Sequence, residues 1–192
     1  MGKERWAAFS DGVIAIIITI MVLELKVPHG ATWSVLMTVA PSFLSYVLSF
    51  IYLGIYWNNH HHLLHTVARV DGLILWANSH LLFWLSLIPA ATAWMGENFL
   101  ASTPTAVYGI ILLMPALAYY LLQKAIIRKH GTHSVLANAL GKDIKGKISP
   151  IFYIAGIALA FVNPWLAIAI YVLVAVIWLV PDRRIEKVIH DI

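Results

Sequence analysis

Cysteine is missing from all 192 residues, which excludes disulfides, thiolate metal sites and cysteine nucleophiles. That absence leaves the cellular compartment open. Charge is scarce too: 11% of residues are Asp, Glu, Lys or Arg, against 61% hydrophobic, and the mean hydropathy is +0.82. Soluble domains carry about 25% charged residues and need a polar surface, so a core of this size cannot hide so much apolar side chain. Also missing are a Walker loop, a Gly-x-Ser-x-Gly elbow, an HExxH pair and a dinucleotide fingerprint, so nothing points to ATP-driven transport or familiar hydrolysis. The chain has no Thr-Val-Gly-Tyr-Gly filter either, which excludes the carbonyl-lined potassium pore.

What is present is six hydrophobic stretches, roughly Phe9–Val27, Val35–Trp57, Gly72–Met95, Ala106–Ile127, Ile148–Val162 and Pro164–Val180. A helix rises ~1.5 Å per residue, so ~20 residues cross the hydrocarbon layer. The fifth stretch is marginal and is expected to extend toward Lys147 or past Pro164. Lipid offers the backbone no partners, so the spans must be helices. The expectation is an all-α polytopic membrane protein of six transmembrane helices, with residues 1–192 as one domain. Asp11, Glu24 and the lack of a small-residue cleavage pattern argue that the first segment is not a removed signal peptide.

Orientation follows from Lys and Arg in the loops. Lys3, Arg5, Arg69, Lys124, Arg128, Lys129, Lys142, Lys145, Lys147, Arg183, Arg184 and Lys187 fall on one side, and Lys26 alone falls on the other. This places both termini in the cytoplasm, and adding or removing one span would scramble the count. The net charge of +4 then describes a face attracted to anionic membrane lipids, not a nucleic-acid surface.

Ionisable groups within spans cost about 2.5–3.5 kcal/mol on insertion scales and so mark candidate sites. The first segment holds Asp11 and Glu24. At 100° per residue, Gly12, Ile16, Thr19, Ile20, Leu23 and Val27 share one stripe, and Asp11 points about 140° from Ile16. A lone stripe of this kind is ordinarily lipid-facing or helix-facing surface. Several copies converging on an axis would instead form an apolar constriction, with Thr19 supplying hydroxyls. Arg5 and Asp11, six residues apart, are poorly placed to pair within one helix. Ser10 and Asp11 also suit helix-start chemistry, where a carboxylate meets the macrodipole.

Trp57-Asn58-Asn59-His60-His61-His62-Leu63-Leu64-His65 closes the second span, and His61 and His65 have chelating spacing. Membrane metalloenzymes need several histidine boxes, whereas His29, His80, His130, His133 and His190 are scattered here. A buried hydrogen-bond network joining His60 or His61 to the first helix competes with that reading. The third span carries Trp76, Asn78, Ser79, His80 and Ser86, which are able to bond across helices. Pro41, Pro89 and Pro115 are expected to kink their helices, and Pro164 to open a turn or the last helix. Trp33, Trp94, Trp165 and Trp178 suit an aromatic belt.

Arg5-x-x-x-Phe9-Ser10-Asp11, followed by Gly12-Val13-Ile14-Ala15-Ile16, resembles the signature opening the first helix of the transmembrane protein 175 family of endosomal and lysosomal potassium channels. Trp57-x-x-His60-His61 and Trp76-x-Asn78 support the resemblance, which spans the whole chain. It implies a homotetramer in which four first helices surround the axis, passing potassium better than sodium without a re-entrant filter. On that resemblance the constriction falls on Ile16, with further layers on Thr19 or Ile20 and on Leu23. Arg5, Phe9, Ser10 and Asp11 would hold the helix in place through contacts with the His60–His61 region. Ala15 stands where strongly selective members carry a hydroxyl, so modest selectivity is expected.

The leading expectation is therefore a non-enzymatic, potassium-preferring channel of the bacterial cell membrane, needing no cofactor or firmly bound metal and meeting permeant potassium near Thr19. The competing classes are a proton-coupled secondary transporter using Asp11 or Glu24, and a metalloenzyme built on His60, His61, His62 and His65. No inverted repeat is visible to support the transporter.

Overall fold

The structure is a computed structural model that describes residues 2–132, 134–140 and 143–179, and every regular element among them is helical. In chain order these are α1 (Lys3–Leu23), α2 (Trp33–Thr38), α3 (Ala40–His65), α4 (Gly72–Ser86), α5 (Ile88–Glu97), α6 (Ser102–His130), α7 (Val135–Leu140), α8 (Ile144–Ala160) and α9 (Pro164–Leu179). The six passes are α1, α3, α4 continued by α5, α6, α8 and α9. Four of them, α1, α3, Gly72–Glu97 and α6, are 21 to 29 residues long and apolar enough to cross a membrane. The other two, α8 and α9, have 17 and 16 residues, at the short limit of about 17–25 residues for a span.

The helix ends follow from caps and prolines. The first pass starts at Lys3 rather than Phe9 and stops at Leu23 rather than Val27, since Val27 precedes Pro28 and is pushed out of the helical region. The second expected span, Val35–Trp57, divides at Val39 into α2 and α3, and α3 runs on to His65, so the histidine cluster forms its last turns. Pro41 and Pro89 lie in the first turns of α3 and α5. A proline there removes an N–H that has no helical partner, and each stretch breaks two residues before its proline, at Val39 and at Leu87, as the expected kinks require. Pro115 is carried inside α6, and Pro164 opens α9. Asp143 caps α8 by accepting the Gly146 amide at 3.0 Å, which lengthens the marginal fifth pass back to Ile144. Asp71 caps α4 through the Ile74 amide at 3.0 Å and pairs with Lys129 of α6 at 3.5 Å.

Contacts between loops show that the passes alternate in direction. The Lys3 ammonium reaches the His65 carbonyl at 3.5 Å, the Arg69 amide donates to His130 Nε2 at 3.2 Å, and Lys145 donates to the Ile177 carbonyl at 3.2 Å. These join the starts of α1 and α8 to the ends of α3 and α9, and the turn entering α4 to the end of α6. At the opposite end, Lys26 pairs with Glu97 at 2.7 Å and Phe99 meets Trp165. The basic residues thus separate from Lys26 as the loop count expects, although Lys142, Arg183, Arg184 and Lys187 lie outside the described residues.

Hydroxyls tie the interior together. Ser49 joins Thr92 at 2.7 Å and Tyr108 at 2.8 Å, Tyr52 donates to the Tyr171 carbonyl at 2.6 Å, and Tyr119 donates to the Asn59 carbonyl at 3.0 Å. Each such bond contributes about 0.6 kcal/mol on average in a membrane bundle. Close helix approach needs small residues: a Cβ on Gly96 of α5 would sit 2.8 Å from Ser42 Cα of α3. That neighbour is backbone and cannot rotate aside. Gly96→Ala is accordingly expected to cost about 1–3 kcal/mol, read as a lower melting temperature in detergent; an unchanged melt would contradict the packing.

Candidate functional site

The first helix packs against α3, α4 and α5 with Trp6, Ser10, Ile14, Ile17 and Met21, all buried. These positions centre about 120° around the helix from the stripe through Ile16, at 100° per residue. The stripe itself faces outward: Ile16 is 60% exposed, Leu23 77%, and Gly12, Thr19, Ile20 and Val27 are exposed as well. One face of α1 is therefore held by α3, α4 and α5, and the apolar face carrying Thr19 is largely exposed.

A buried chain of hydrogen bonds fixes that rotation. His60 of α3 and Asn78 of α4 lie 2.7 Å apart through Nε2 and Oδ1. Asn78 Nδ2 donates to Ser10 Oγ at 3.0 Å, and Ser10 donates to the Trp6 carbonyl at 3.1 Å. Because the Asn78 amide nitrogen faces Ser10, its oxygen faces His60, and Nε2 must carry the imidazole proton. All three donors then point the same way, an arrangement in which successive bonds polarise one another. This tautomer leaves His60 Nδ1 as a bare acceptor. Among the described residues His60 Nδ1 and Trp6 Nε1 are buried without a hydrogen-bond partner, while their rings meet edge to face with centroids 5.8 Å apart.

Asp11 takes a different partner: Trp57 Nε1 of α3 donates to its carboxylate at 3.0 Å. This contact lies on the other flank of α1 from the Ser10 chain, so the helix is gripped on both sides. Thr19 donates to the Ala15 carbonyl at 2.9 Å, as helical threonines commonly do. Its hydroxyl proton is thereby used within the helix, and its oxygen lone pairs stay free to accept a cation.

The remaining predicted residues stay apart from this network. Arg5 and Phe9 are exposed, and Arg5 has no hydrogen bond or ion pair among the described residues. Trp76 is 79% exposed. His61 faces His65 instead of α1. Of the polar residues on α4, Asn78 crosses to α1 and α3, whereas Ser86 bonds the Phe83 carbonyl and His80 accepts from Trp84. Trp6, which packs on His60, and the Trp57–Asp11 bond escape sequence reasoning. The recurrence of Trp6, Ser10, Ile14, Ile17 and Met21 at helical spacing is the signal that exposes the first. The histidines do not converge: His60 points into the core, His61 and His65 face outward, and no group of three metal-ligating side chains occurs among the described residues.

Comparison with known proteins places this arrangement. Residues 5–89 match the family model described as endosomal/lysosomal potassium channel TMEM175. A potassium channel of Chryseobacterium sp. (strain P1-3) is 58% identical over 191 residues, covering 100% of both chains. The chain belongs to the TMEM175 family. A second member, a potassium channel of Streptomyces collinus, is 33% identical over 182 residues, covering 89% of this chain and 88% of its own. The crystal structure of a lysosomal potassium-selective channel TMEM175 homolog from Chamaesiphon minutus superposes with a TM-score of 0.81 at 31% identity, covering 94% of this chain and 97% of the other. As a TMEM175 member with six apolar passes, the protein is an integral membrane protein.

Breaking the α1 anchor has a measurable consequence. Ser10→Ala and Asn78→Ala are each expected to destabilise the protein by about 1–3 kcal/mol, the range for stranding a buried polar partner. Because they share one bond, their effects are expected to be non-additive by at least about 0.5 kcal/mol in a double-mutant cycle. Strict additivity of the two melting shifts would show that the bond does not hold α1.

Proposed function

We propose that the protein is a potassium-preferring cation channel in which the outward stripe of α1 lines the conducting path, with Ile16 at its narrowest ring. The observation that carries this reading is the division of α1 into two faces. Asn78, His60 and Trp57 lock one rotation of the helix, and that rotation turns Ile16, Thr19, Ile20 and Leu23 away from the subunit that bears them. A homotetramer supplies what such a face needs, four stripes converging on an axis, and the description of the relatives as potassium channels agrees with it. The full 192-residue chain acts as one six-pass unit in the bacterial cell membrane, with both termini cytoplasmic by the positive-inside rule.

Chemically, Ile16 excludes water until the ring widens, and a dry apolar constriction passes no ions. The Thr19 oxygens, one turn further along, meet a partly dehydrated ion with lone pairs that the Ala15 bond leaves free. Arg5, Phe9, Asp11 and Trp76 act as positioning residues around the mouth and the subunit contacts. Ala15 adds no oxygen next to the constriction, so the preference for potassium over sodium is modest.

A proton-coupled transporter is the second reading, with Asp11 or Glu24 as the titrating carboxylate. Asp11 spends its carboxylate on Trp57, and the related proteins are described as channels, which favours passive conduction. The metalloenzyme reading loses its ligand set, because His60 and the His61–His65 pair face different surroundings.

Purified protein in liposomes under a potassium gradient is expected to show passive flux without saturation, and Ile16→Asn to raise it by wetting the ring. Thr19→Val is expected to reduce the ratio of potassium to sodium flux while leaving flux intact. Flux that saturates and follows a pH gradient would favour the transporter, and no flux in either wild type or Ile16→Asn would overturn the channel.

A further inference from the structure

The last turn of α3 holds a pair of side chains that the anchoring network does not use. His61 and His65 are both exposed, and their Nε2 atoms lie 3.2 Å apart, with ring centroids 4.6 Å apart at 71°. Two neutral imidazoles at this distance share one N–H. The same distance is the bite of a chelate: nitrogens about 2.0–2.1 Å from a tetrahedral zinc ion lie about 3.3 Å from each other. Adjacent nitrogens around a square-planar ion lie closer, at about 2.9 Å, so the pair suits tetrahedral coordination better. His62 has its ring centroid 5.8 Å from that of His61, and His60 is committed to Asn78. The donor set is therefore two protein nitrogens with two positions left for water, which makes a reversible site and not a structural one.

Two contacts tie this turn to α1. The His61 ring lies 6.1 Å from the Trp57 ring, whose Nε1 holds Asp11, and the Lys3 ammonium reaches the His65 carbonyl. An ion clamping His61 to His65 stiffens the helix turn between these two points. We infer that His61 and His65 form a reversible binding site for a divalent ion of the zinc class, whose occupancy stiffens the turn that carries both contacts to α1.

Protein freed of any polyhistidine tag and titrated with zinc chloride by calorimetry is expected to bind one ion per subunit. His65→Ala is expected to weaken that binding at least about tenfold, since loss of even an outer-shell partner costs 10–100-fold, and His62→Ala to leave it unchanged. Binding that persists unchanged in His65→Ala, or no saturable binding at all, overturns the site.

Discussion

The bond between Asn78 and Ser10 sets the rotation of α1, and everything proposed for this helix depends on that rotation. A helix in lipid gains little from turning one apolar face inward over another, because lipid tails are as apolar as leucine. What discriminates is a polar group that must be satisfied. Ser10 is buried among α3 and α4, and turning it away would leave Asn78 and His60 without their chain. Trp57 and Asp11 apply the same constraint from the other flank. Between them the two contacts leave the Ile16 stripe facing out.

The rest of the bundle supports these contacts. The third pass is broken at Leu87, between α4 and α5, and α1 packs on both halves, with Ser10 meeting α4. The core tyrosines tie α3 to α6 and α9 through hydroxyl bonds to backbone carbonyls. Such bonds fix helix against helix without a charge in the hydrocarbon, which fits a chain with so few charged residues. The scaffold is thus held by many neutral contacts, and α1 by a few specific ones.

Much of this was legible in the residues. Hydrophobic run lengths and the loop charges gave the six passes and their alternation, because those signals come from the bilayer itself. The stripe on α1 was legible because a helix has a fixed period. Helix ends were less so: Pro41 and Pro89 announce the breaks at Val39 and Leu87, but periodicity does not say that α3 runs on through the histidines to His65. The partners of Ser10 and Asp11 could not be read, since a hydrogen bond between Ser10 and Asn78 joins residues 68 apart in sequence and periodicity says nothing about which helices are neighbours. His61 shows the same limit: it stands beside His60 in sequence, but 100° of helix separates them, so one joins the network and the other faces its own neighbour a turn away.

Lys26 is the lone basic residue that the loop count assigns to its end of the molecule. With its charge matched by Glu97, Glu24 at the end of α1 is left as the surplus, a net negative charge beside the Leu23 end of the stripe. In the proposed assembly, that surplus repeated around an axis would make an electrostatic funnel, enriching cations and repelling anions before either reached Leu23. Discrimination by sign would then be completed at the threshold, leaving the interior of the proposed path only the finer task of telling one monovalent cation from another.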